Sequence, residues 1–233
     1  MATIDITTAL AIPGLEPTLT KDDLKECTII YIITKHRQLG KFSFHLVHRH
    51  EPITGDAIRL ESSLGILNGK WNKTVLIDSI NLGNIHGVVF KFFSAENRFV
   101  PYEFAQGPSP IRSGDVDGVF LQEFTSYLIG HNLANILALD IVHSGPDGQA
   151  DECTADIGVD RLGTVILPKT AVNAREFLPT GWPGLLQPDD SNPPAGQAWA
   201  NKVDEFHKVF INKPIGTARE LVDELVSPGC AYA

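Results

Sequence analysis

The chain has 233 residues, 43% of them hydrophobic and 20% charged, enough apolar material for a real core and too little charge for disorder. Lys and Arg number 19 against 28 Asp and Glu, a formal net charge of −9 that argues against a nucleic-acid binder, whose surface would be basic. No run approaches ~18 uninterrupted apolar residues, so no membrane span is expected.

The opening residues, MATIDITTALAIPGLEP, lack the basic start and continuous apolar core of a secretion signal. Cys27, Cys153 and Cys230 are odd in number and widely spaced, and read as reduced thiols of a cytoplasmic protein. Cys230-Ala231-Tyr232-Ala233 has the outline of a prenylation box, but Tyr232 replaces an aliphatic residue and an acidic helix precedes it. The segment reads as a frayed tail.

In chain order, residues 1–17 form an arm punctuated by Pro13, Gly14 and Pro17. Thr20, followed by Asp22 and Asp23, is expected to cap a helix that ends in Lys35-His36-Arg37 and Gly40, although the β-branched run Thr28–Thr34 equally suits a buried strand. From Lys41 the period changes to two. Phe42, Phe44, Leu46, His48 and His50 fall on one face of a strand, with Ser43, His45, Val47, Arg49 and Glu51 on the other. Strands are expected at 57–62, 74–80, 88–94 and 98–104, the last two joined by a hairpin at Ala95-Glu96-Asn97. A helix follows over 117–129, with Phe120, Phe124 and Leu128 on one face and Gly130 stopping it. The apolar run 134–143 reads as a buried strand, and 156–159 with 164–168 as another hairpin.

Residues 171–196 carry Pro179, Pro183, Pro188, Pro193 and Pro194, and are expected to be an irregular wrapping loop. Two helices are expected over 197–227. Trp199, Val203, Phe206 and Phe210 mark the first, and a capping box of Thr217 and Glu220 opens the second.

The densest chemistry is His45-Leu46-Val47-His48-Arg49-His50. On a strand, His48 and His50 project from one face about 7 Å apart, a spacing that suits two ligands of Zn²⁺ or Fe²⁺. A third ligand would have to come from elsewhere, and the alternative is a hydrogen-bonded pair at the sheet end. Asp140 and His143 end the other strongly apolar strand on opposite faces. Either would supply general acid or base chemistry with His48 or His50 if the strand ends converged. There is no Gly-rich phosphate loop, Gly-x-Ser-x-Gly elbow or His-Glu-x-x-His helix. Cys153 stands among Asp151, Glu152 and Asp156, which oppose a thiolate.

The segment GKFSFHLVHRHEPITGDAIRLES, entered from a helix, resembles a loose set of uncharacterised fungal proteins in which a strand ends His-basic-His before a Gly-containing turn. The resemblance covers a short N-terminal stretch and implies no activity, only that His48-Arg49-His50 is a recurring element.

The expected architecture is a single α+β domain: a curved antiparallel sheet of five to seven strands with helices packed mainly on one face. Such a sheet would enclose a pocket for a small, largely apolar ligand, with catalytic His48, His50, Asp140 and His143, or a metal on His48 and His50, under the 171–196 loop. The alternative is a non-catalytic protein that uses the Pro/Trp-rich loop to bind a partner or a second copy of itself.

Overall fold

The computed structural model describes residues 35–36, 41–48, 53, 55–142, 154–159, 162–172, 177–183, 202–205, 211 and 215–226. Among them are ten strands: β1 (Phe42–Leu46), β2 (Ala57–Ser63), β3 (Lys70–Leu76), β4 (Ile85–Phe93), β5 (Arg98–Gln106), β6 (Leu137–Ile141), β7 (Thr154–Val159), β8 (Gly163–Pro168), β9 (Phe177–Pro183) and β10 (Lys202–Glu205). Two α-helices, α1 (Gly118–Gly130) and α2 (Ala218–Val226), accompany them. The hydrogen-bonded order runs β1-β6-β4-β5-β2-β3-β8-β7-β10-β9, and β9 pairs back onto β1, closing the sheet into a barrel. Most pairs are antiparallel, but β2–β5 and β7–β10 are parallel.

This corrects the expected α+β architecture: the fold is mostly β, and the sheet is mixed and curled onto itself. Two misread segments account for much of the difference. Residues 177–183 form a strand despite Pro179, Gly181 and Pro183, with Pro179 next to a break in the β9–β10 register where a missing N–H is tolerated. Val203, spaced like a helical apolar residue, instead belongs to β10, a strand between β7 and β9. The remainder of the expected wrap, the expected helix before residue 35 and all three cysteines lie outside the described residues.

Register divides the barrel wall into two faces, because paired residues project to the same side. One face carries Phe42, Phe44, Leu46, Leu137, Leu139, Ile141 and Phe92, packed on Phe120, Phe124 and Leu128 of α1. Phe42 lies 5.6 Å from Phe120 and Phe44 5.7 Å from Phe124, ring centre to ring centre. Helix α1 starts where expected: the Asp117 carboxylate accepts the Val119 N–H at 2.9 Å.

Farther round the same face, Ile157, Val159, Val165 and Leu167 receive Leu221, Val222 and Leu225 of α2. That helix opens with the expected capping box, Glu220 N–H to Thr217 Oγ1 at 3.2 Å and Thr217 N–H to Glu220 Oε2 at 3.0 Å. Both helices therefore cover the outside of the wall. The other face is buried with no described helix against it, because closure of the sheet turns it inward.

Candidate functional site

The inward face is mixed, with buried charged and polar residues set among apolar Val89, Val100, Ala105 and Ala138. One layer follows the register Ser43–Asp140–Val89–Glu103–Arg59 across five neighbouring strands. A second is His45–Ala138–Lys91–Val100, and a third is Glu61–Asn72–Thr164–Gly158. Asp156 joins the same face as the partner of Ile166. Arg59, Asn72, Thr164 and Asp156 are all 2% exposed or less, and His45, Glu61, Lys91 and Glu103 are also buried.

The layers are tied to one another. Arg59 Nη2 donates to Thr164 Oγ1 at 2.9 Å, and Asn72 Nδ2 donates to Glu103 Oε2 at 3.1 Å. A carboxylate only accepts, so the second bond fixes the orientation of the Asn72 amide and turns Oδ1 the other way. There Oδ1 meets no donor among the described residues. At the rim, half-exposed Lys70 reaches Glu61 Oε1 at 2.6 Å.

At one end of the barrel the chain leaves β1 and His48 folds back. Its Nδ1 donates to the Leu46 carbonyl at 2.8 Å, and its ring stacks on His45 with 4.9 Å between centroids. Because a carbonyl can only accept, the proton is placed on Nδ1, which makes Nε2 the basic nitrogen of the neutral ring. Lys91 belongs to the same layer as His45, with only the methyl group of Ala138 on the strand between them. Burial holds the Lys91 amine below the usual lysine range. Its ammonium position lies 5.3 Å from the centre of the Phe93 ring.

Of the residues singled out from sequence, His48 is buried, but against His45 and not as a continuation of the Phe42/Phe44/Leu46 row, since β1 ends at Leu46. Asp140 is on the inward face opposite Ser43. The antiparallel register places Asp140 toward the other end of β1: Ser43 to Leu46 alone is about 10 Å of strand, and His48 lies beyond it. Its near neighbour is His45, whose partner Ala138 is two residues away along β6. His50 and His143 lie outside the described residues. Among the described residues, no three His, Cys, Asp or Glu side chains converge as a metal-binding group.

Sequence reasoning missed His45, Arg59, Glu61, Asn72, Lys91, Glu103 and Asp156. His45, Arg59, Lys91, Glu103 and Asp156 each stand between apolar residues and so read as the wet side of a half-buried strand, while Asn72 falls before the strand expected at 74–80. Only closure of the barrel turns that side inward.

No protein-family model, curated protein or solved structure matches this chain. No helix among the described residues is long and apolar enough to cross a membrane.

Proposed function

We propose that the protein is a cytoplasmic enzyme that takes a small polar molecule inside the barrel, with His45 and His48 as its proton-transfer groups. The carrying observation is the charge on the inward face, contributed by Arg59, Glu61, Lys91, Glu103 and Asp156 from four strands. Filling a barrel needs only apolar side chains, and burying charge is costly unless it is paired or used. The same observation changes the expected ligand from a largely apolar molecule to one that offers hydrogen-bonding groups. Asn72 Oδ1, held open to a donor, favours a ligand that carries an N–H or O–H group. His45 lies one layer away from Asp140 on the inward face, so a ligand between them meets an imidazole and a carboxyl group able to exchange protons with it.

The test is a thermal-shift series with probes of one chain length and different head groups: butylamine, butyrate, butanamide, 1-butanol and pentane. The proposal expects at least one polar head group to raise Tm in wild type and to lose that effect in Asn72→Leu. Stabilisation by pentane alone, or by none of the probes, overturns it.

A further inference from the structure

Lys91 stands apart from the other charged residues of the inward face. Arg59 is bonded to Thr164, Glu103 to Asn72 and Glu61 to Lys70, whereas Lys91 makes no ion pair with a carboxylate among the described residues. It is 7% exposed, and lysines so deeply buried are rare without a partner. Its charged form is disfavoured by burial, which keeps a larger share of the amine in the nucleophilic, unprotonated form. The register supplies what such an amine needs. His45 is across Ala138 in the same layer, and Asp140 is diagonal to Lys91 on the adjacent strand.

We propose that Lys91 forms a Schiff base with a small aldehyde or ketone admitted to the barrel. The inference rests on the reading of the interior as a small-molecule site. The Nζ lone pair attacks the carbonyl carbon, the C=O π pair moves to oxygen, and the oxygen takes up a proton to give a carbinolamine. Loss of a proton from nitrogen and of the hydroxyl as water then forms the C=N bond. Amine plus carbonyl compound thus gives imine plus water, with no oxidant or reductant. His45 is the acid that delivers the proton to the departing oxygen, and the neutral amine is regenerated when water reverses the steps. Phe93, 5.3 Å from Nζ, provides an aromatic face that favours a cationic iminium at that end.

The experiment is borohydride trapping of the full-length protein with propanal or 2-butanone, followed by peptide mapping. Reduction converts the imine to a stable secondary amine at the modified lysine. The expected result is a label at Lys91 at least tenfold above that at exposed Lys35, lost in Lys91→Met. His45→Gln slows trapping while leaving the modified position the same. A label spread over surface lysines, with Lys91 no richer than the rest, overturns the proposal, and this wild-type map decides the matter even if either variant fails to fold. Probe-induced stabilisation without Lys91 labelling removes the Schiff base and leaves the small-molecule reading standing. Absence of both removes the two together.

Discussion

His36 connects the start of the described chain to α1 through charge. Its Nδ1 lies 3.2 Å from Asp117 Oδ2 and its Nε2 2.6 Å from Glu123 Oε2, while Lys35 Nζ reaches both oxygens of Glu123 at 2.9 and 2.8 Å. The Val119 N–H, and then His36, hold Asp117 below its usual range; Lys35, and then His36, do the same for Glu123. A carboxylate whose folded pKa is depressed adds stability above its unfolded pKa and loses it as pH falls through the folded value. Tm should therefore fall with acid below about pH 4.5, the ordinary glutamate value. Glu123→Gln should make that acid limb shallower, as read by thermal melts between pH 6 and pH 3. An unchanged slope would show that the tie contributes nothing.

Lys91 has the opposite linkage. Burial lowers its folded pKa, so the unfolded chain binds the proton more tightly and the lysine costs stability below its usual range. Lys91→Met is expected to raise Tm at pH 7, with the gain shrinking as pH climbs toward 10.5, the usual lysine value. A variant less stable than wild type at pH 7 would mean that the ammonium is well solvated where it stands.

At the scale of the elements, α1 holds one side of the barrel through a ladder of rings. Phe124 stacks on Phe44 at 5.7 Å, on Phe99 at 5.8 Å and on Phe120 at 5.9 Å, and none of its surface is exposed. Phe124→Ala should cost about 3–5 kcal/mol, since such a cavity cannot be refilled by neighbours already in contact with one another. Chemical denaturation measures this directly, and a loss below about 1 kcal/mol would mean that α1 is only loosely seated. The two described helices were legible because their signals are local: Phe120/Phe124/Leu128 repeats at helical spacing after the Asp117 cap, and Thr217 with Glu220 makes a reciprocal cap. The β4–β5 hairpin was legible for the same reason, with Asn97 taking the left-handed conformation (φ 50°) that its turn requires.

What could not be read is the closure of the sheet, a property of the whole molecule. Val203 has helical spacing to Trp199 and Phe206, yet its place in β10 follows from pairing with Ala155 and Pro179, residues remote in sequence. In the same way, Arg59-Leu60-Glu61 looks like a strand with one wet face until β9 meets β1 and converts that face to an interior. The candidate site shifted accordingly: His48 survives as a buried histidine, but its partner is His45, from the face that alternation had assigned to solvent. The acidic excess is not all surface charge, since Glu61, Glu103 and Asp156 are buried on the inward face.

The central claim is that this interior receives a polar small molecule, and the most direct measurement is where a bound probe perturbs the protein's NMR spectrum. Titration with the polar head-group probes should shift signals of Asn72, Arg59, Lys91 and His45, leaving the outer Phe120, Phe124, Leu221 and Leu225 unmoved. Shifts confined to the outer helices, or no saturable shift on the inward face, would contradict it.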